Sequence, residues 1–135
     1  MKKELQKILY VEDEPEIQEI ATMALEHIGN FTVCECCSGK EALEKIEEFD
    51  PDLVLTDVMM PEIDGAVLFR KIRQIPKYRN MPIIFMTAKA QNHEIEKYYE
   101  IGALDVIVKP FKPVSLSDEI KKAWDRFDYK EETIL

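Results

Sequence analysis

The stretch DLVLTDVMMPEIDG, residues 52–65, decides the fold. Its first half is a short, continuous apolar run that stops on an acid, Asp57. A run without polar alternation reads as a strand covered on both faces, as in a parallel sheet with helices packed on either side. The second half carries Pro61 and Gly65 and reads as a loop. Ligands of an open parallel sheet gather outside the carboxyl ends of its strands, so Asp57 stands where chemistry is expected.

Working outward, strand and helix patterns alternate five times. KILYVED (7–13) precedes EPEIQEIATMALEHIG (14–29), where Ile17, Ile20, Ala21, Ala24, Leu25 and Ile28 recur at helical spacing. Pro15 falls in the first turn and Gly29 at the end. FTVCEC (31–36) is rich in β-formers, and Ser38 caps GKEALEKIEEF (39–49), with Glu41 placed for a capping box. After the central strand come the helix AVLFRKIRQI (66–75) and the strand MPIIFMT (81–87). Then follow a rather polar helix, HEIEKYYEIG (93–102), and a fifth strand, ALDVIV (103–108). Lys109-Pro110-Phe111-Lys112-Pro113 forces a turn, and Lys109-Pro110 invites a cis bond. VSLSDEIKKAWDRF (114–127) closes the pattern as an amphipathic helix, leaving DYKEETIL as a frayed tail. Right-handed crossovers leave few arrangements for such a series. The expected one is a doubly wound, five-stranded parallel sheet of order 2-1-3-4-5, which sets strands 1 and 3 side by side at the switch point.

Composition narrows the function. At 135 residues the chain is the size of one domain, with 46% hydrophobic and 33% charged residues, an ordinary globular balance. Its formal charge of -9 argues against nucleic acid or an anionic membrane as a direct partner. No apolar run approaches the roughly 20 residues that span a bilayer. MKKELQK lacks the apolar core of a signal peptide, so a cytoplasmic location is expected. Cys34, Cys36 and Cys37 fit no disulfide framework and have no histidine nearby to complete a zinc set, so they read as small apolar fillers.

Four strand ends remain, each carrying a residue suited to phosphate or a hard cation: Glu12-Asp13, Asp57, Thr87 and Lys109. Two carboxylates about 4 Å apart repel by about 4 kcal/mol at an effective dielectric of 20. Such a cluster raises its own pKa values or recruits a cation. Magnesium, which favours oxygen and keeps its waters and substrate phosphate, suits it best, and manganese is the natural substitute. A carboxylate can also attack phosphorus to give an aspartyl-phosphate. Asp57 is the expected nucleophile, with Thr87 and Lys109 placed to meet phosphoryl oxygens. Each residue has a plainer explanation: acids enriched at a helix start, an Asp that forms a turn, a β-branched strand residue, a solvated lysine. Their conjunction at four strand ends outweighs these.

The motifs VEDE (11–14), LTDVMMPEIDG (55–65), MTA (86–88) and VKPF (108–111), in this order and spacing, resemble the receiver domain of bacterial two-component response regulators. The likeness spans about residues 5–127. It implies a flavodoxin-like three-layer sandwich, a receiver domain over 1–127 and a flexible tail over 128–135. It implies that Asp57 accepts phosphate from a sensor histidine kinase or a histidine phosphotransfer protein. Glu12, Asp13, Asp57 and the backbone carbonyl of Met59 would bind magnesium. Thr87 and Lys109 would engage the phosphoryl oxygens, and the bond before Pro110 would be cis. A downstream effector or attached output domain would read the fourth helix, fifth strand and fifth helix, including Tyr98, Tyr99 and Val106. The first helix, with Glu16, Gln18 and Glu19, would receive the kinase.

Val106 stands where that family carries an aromatic switch residue, so a smaller movement of the loop after Thr87 is expected instead. Met59 and Lys89 are expected to crowd the path of water to an aspartyl-phosphate. Of Tyr98 and Tyr99, one is expected to face the core and the other water, unless they contact a partner. Three rivals stand beside this reading. A magnesium-dependent phosphohydrolase of the haloacid dehalogenase type needs a second acid where Met59 sits. A flavin-binding electron carrier of the same topology needs Gly, Ser and Thr amides where Glu12-Asp13-Glu14 stands. A phosphorylation-independent interaction module needs none of these residues. The chain is therefore expected to be a regulator rather than an enzyme. No output region follows the match, which leaves a stand-alone regulator, a relay intermediate or a piece of a longer protein.

Overall fold

Burial of apolar strands on both faces forces a layered solution, and a computed structural model shows it, describing residues 3–88 and 91–134, with side chains through Phe127. The strands are β1 (Lys7–Val11), β2 (Thr32–Cys36), β3 (Leu53–Asp57), β4 (Ile83–Thr87) and β5 (Asp105–Val108). They form one parallel sheet of order β2-β1-β3-β4-β5, as expected. The helices are α1 (Pro15–Met23), α2 (Gly39–Phe49), α3 (Gly65–Gln74), α4 (Asn92–Ile101) and α5 (Pro113–Ile134).

Alternate strand residues supply two cores. On one face Leu9, Val11, Val54, Ile83 and Phe85 meet Ala42 and Ile46 of α2 and Leu68, Phe69 and Ile72 of α3. On the other, Ile8, Leu53, Leu55, Ile84 and Met86 meet Ala21 and Leu25 of the first helical segment and Leu116, Ile120 and Trp124 of α5. The helix α4 contributes no fully buried residue and leans on the first core only through Tyr98 and Ile101.

Local chemistry sets the helix ends. The Oγ of Ser38 accepts the Glu41 amide at 3.1 Å, while Glu41 reaches back to accept the Cys37 amide at 2.6 Å. Asp64 caps α3 by accepting the Val67 amide at 2.9 Å. Gly102 ends α4 at φ 121, a conformation that disfavours any side chain.

Three details differ from the sequence expectation. The first helix widens at Ala24–Ile28 into a π-turn, in which Gly29 N–H donates to Ala24 O at 3.2 Å. The turn sits against α5, where the buried Ser117 hydroxyl reaches Ala24 O at 3.5 Å. Helical backbone continues to Ile134, through most of the stretch expected to fray, since Lys and Glu there are good helix formers and no Gly or Pro interrupts them. Cys36 and half-buried Cys34 fill the core, but Cys37 is exposed because its position faces outward at the helix entry. No helix among the described residues is long and apolar enough to cross a membrane.

Candidate functional site

Register alone brings the strand-end residues together. Val11 pairs with Thr56, Asp57 with Met86 and Thr87 with Val108, so Glu12 and Lys109, just past their strands, come level with Asp57 and Thr87, which end theirs. Glu12, Asp13 and Asp57 offer carboxylate oxygens that all lie within 4.8 Å of one another. Glu12 and Asp57 are buried and Asp13 is half-buried.

The backbone fixes these acids tightly. Gln18 Nε2 donates to the carbonyls of Glu12 (3.2 Å) and Cys36 (3.0 Å), tying the ends of β1 and β2 together. The carbonyl of Asp57 accepts the Thr56 hydroxyl at 3.0 Å. Gly65 packs directly on the end of β3, where a Cβ would stand 2.7 Å from Asp57 O. The loop that follows Asp57 can fold back only because that residue has no side chain.

Lys109 is the counter-charge. Its Nζ donates to Glu12 Oε1 at 2.8 Å and to Asp57 Oδ2 at 3.0 Å, and its backbone N–H bonds Thr87 O at 2.8 Å. The Lys109–Pro110 bond is cis. Burial would by itself lower the pKa of this ammonium, but the two carboxylates reverse that and hold it above the usual lysine value. Burial pushes the Glu12 carboxyl up to about 7; Lys109 opposes the shift and Asp57 adds to it. One lysine thus serves two of the three acids, and the balance falls short. Asp13 Oδ1 is buried without a hydrogen-bond partner among the described residues, a defect that a bound cation would cure. Hard carboxylate oxygens at this spacing match magnesium better than a soft metal.

The remaining oxygens of the site are weakly held. Glu12 Oε2 accepts the Glu14 amide at 3.3 Å, and Asp57 Oδ1 accepts the Met59 amide at 3.4 Å. The Met59 side chain is 56% exposed beside Asp57. Thr87 is buried at the end of β4, with Tyr98 of α4 as a neighbour. The Tyr98 ring stands edge-on to Phe85 with centroids 5.4 Å apart. Val106 pairs with Phe85 from β5 and is half-buried, so the aromatic ring next to Thr87 comes from α4 instead. Tyr99 points away, 45% exposed, and its hydroxyl donates to Asp105 at 2.8 Å. One of the two tyrosines thus faces the core and the other faces water. Lys89 lies outside the described residues.

Sequence reasoning brought all the acids, Thr87 and Lys109 to this cleft but missed three supporting residues. Gln18 belongs to the helix surface by its spacing, and no pattern reveals that its amide bridges two strands. Phe85, read as core, is the platform for Tyr98. Tyr10 was absorbed into an apolar run, although its hydroxyl is a polar atom that a buried strand must place somewhere.

Known proteins resemble this chain in sequence and in fold. Residues 8–121 match the family model described as response regulator receiver domain. The regulatory protein VanR of Enterococcus faecium is 38% identical over 123 residues, covering 90% of this chain and 51% of that protein. The chain spans about half the length of the curated relatives it matches. Among solved structures, chemotaxis protein CheY4 of Vibrio cholerae has a TM-score of 0.81 at 26% identity, with coverage of 89% of this chain and 99% of that one. A CheY-like response regulator receiver domain protein of Methanospirillum hungatei has a TM-score of 0.79 at 29% identity, with coverage of 95% and 99%.

Proposed function

The chain belongs to the response regulator receiver domain family, the phosphoacceptor signalling modules of two-component systems, and from that membership we propose that Asp57 is its phosphorylation site. The observation that carries this is the shortage of donors around the acids: three carboxylates, one lysine and a buried carboxylate oxygen without a partner. Glu12, Asp13, Asp57 and the Met59 carbonyl would hold magnesium, with manganese as a substitute. When bound, the ion supplies positive charge to a phosphoryl oxygen and screens the acids from one another.

The residues of the chain do the rest. Asp57 attacks the phosphorus of a phosphohistidine; a P–O bond forms, the P–N bond breaks, and the imidazole leaves with its electron pair. Lys109 turns from the carboxylates to one phosphoryl oxygen, where charge spreads in the transition state. Thr87 donates its single hydroxyl proton to another. With Thr87 turned to the phosphoryl group, Tyr98 would lose that neighbour while its ring keeps the edge-on contact with Phe85. Since α4 has no fully buried residue, loosening Tyr98 releases the helix, and the face formed by α4, β5 and α5 changes. Thr87, Tyr98 and Val106 are in this reading the switch, with Val106 leaving room for the α4 tyrosine.

The phosphodonor docks beside the site. A groove of about 600 Å³ lined by Ile17, Ile20, Met59, Pro110 and Phe111 opens onto Asp57 and Lys109. Its apolar lining, with Ile20 and Met59 exposed, suits the helical bundle of a sensor kinase or a histidine phosphotransfer protein, in the cytoplasm. The chain would act as a regulator rather than as a turnover enzyme, signalling to an effector or attached output domain without touching nucleic acid itself. Residues 1–127 would form the signalling unit. Incubation with a panel of phosphorylated histidine kinases tests this: rapid transfer from one of them is expected. Steady release of phosphate from phosphomonoesters would instead support an enzyme.

A further inference from the structure

Tyr10 takes no part in the chemistry above, yet it is fully buried and its hydroxyl has no hydrogen-bond partner among the described residues. Leaving a buried hydroxyl unpaired is unfavourable, and phenylalanine would fill the same space without that defect. A donor role in another state of the molecule would offset that cost. Tyr10 precedes Glu12 by two residues along β1, which puts both side chains on one face of the sheet. Burial raises the pKa of the phenol, and the Glu12 carboxylate, ahead of Asp57 and Glu35, raises it further, so Glu12 is its foremost charged neighbour.

Two donors hold Glu12 in this arrangement, and the Tyr10 hydroxyl is not one of them. Glu12 Oε1 is taken by Lys109 at 2.8 Å and its Oε2 by the Glu14 amide at 3.3 Å. A phosphoryl group on Asp57 draws the lysine off, because one ammonium cannot keep two carboxylates and also serve the new oxygens. The oxygen left behind needs a donor, and the phenol lies on the same face of β1.

We propose that Tyr10 is a positioning residue for Glu12, donating its hydroxyl to the carboxylate once Lys109 turns to the phosphoryl group, and so holding Glu12 toward the cation. This rests on the reading of the cleft as a magnesium-dependent phosphoacceptor site. In that reading the partner of a metal-binding carboxylate changes with the phosphorylation state, and such supporting donors affect metal affinity strongly.

Calorimetric titration of the whole chain with magnesium, alone and in the presence of beryllofluoride as a phosphoryl mimic, tests it in Tyr10→Phe and Asp13→Asn. Tyr10→Phe is expected to bind magnesium as the parent does without the mimic and about tenfold more weakly with it. Its thermal midpoint should equal or exceed that of the parent, which separates positioning from a merely structural role. Equal magnesium affinity in Tyr10→Phe and the parent in both states, with Asp13→Asn impaired, overturns the role of Tyr10 alone. Unaltered affinity in both variants overturns the reading of the site as well.

Discussion

Buried acids occur at both ends of the sheet, and they are treated in opposite ways. At the amino end Asp52 accepts Lys3 Nζ at 2.8 Å and the amides of Gln6 and Lys7 at 3.0 and 2.8 Å. Burial alone would raise its pKa, but the Lys3 ammonium and the two amides overcome that and hold the carboxyl below the usual range. At the carboxyl end Glu12 and Asp57 share Lys109, the neighbouring Asp13 Oδ1 has no partner among the described residues, and Glu12 is pushed up to about 7. The first acid serves the fold: it fastens the start of β3 to the chain entering β1. The second group works against the fold. Acids retained at a cost to stability are the mark of a site that waits for a ligand.

That contrast gives its largest effect in metal binding. Asp13→Ala is expected to abolish measurable magnesium binding at millimolar concentrations, whereas Asp52→Ala leaves calorimetric affinity unchanged; equal effects would erase the distinction. Next, saturating magnesium at about 100 times its dissociation constant should raise the unfolding free energy by about 2.7 kcal/mol. Chelation should reverse this, and chemical denaturation with and without the ion measures it.

The stability effects run the other way. Asp52→Ala is expected to cost about 2 kcal/mol, chiefly by stranding two backbone amides, because Lys3 is 72% exposed and its pairing adds little. Asp13→Asn should change metal-free stability by no more than about 1 kcal/mol, and upward. A parallel pair of urea titrations compares them. The pH dependence follows from the lowered pKa of Asp52. Its contribution is fully present above the unfolded value of about 3.9 and fades as pH falls through the folded one. Parent and Asp52→Asn should therefore differ at neutral pH and converge in acid. The smallest effect belongs to Tyr98→Phe, which removes the hydroxyl beside Thr87 and keeps the ring on Phe85. It should cost about 1 kcal/mol or less and lower amide protection in α4 on hydrogen exchange.

The carboxyl end was the more legible of the two in the sequence. Continuous apolar runs fixed the strands and their order, because each could be satisfied only in a doubly wound sheet. The residues just after them then had to converge, which is why Glu12, Asp13, Asp57, Thr87 and Lys109 were readable as a group. Asp52 was not readable in this way: its partners are two backbone amides and a lysine far away in sequence, and nothing in DLVLTD announces them. The same limit hid Gln18, whose amide serves carbonyls. It also hid the role of Tyr98, for Val106 revealed that an aromatic residue was missing from β5 but not that α4 supplies one. The π-turn at Ala24–Ile28 escaped because a regular helical spacing runs through it, and only packing against α5 sets it apart.

The most direct trial of the account is to expose the chain to a small-molecule phosphodonor such as acetyl phosphate, with and without magnesium, trap any acyl phosphate by borohydride reduction, and locate it by peptide mass spectrometry. The account predicts modification at Asp57, dependent on the ion and absent from Asp57→Asn. Modification at another residue, or at Asp57 to the same extent after chelation, would contradict it.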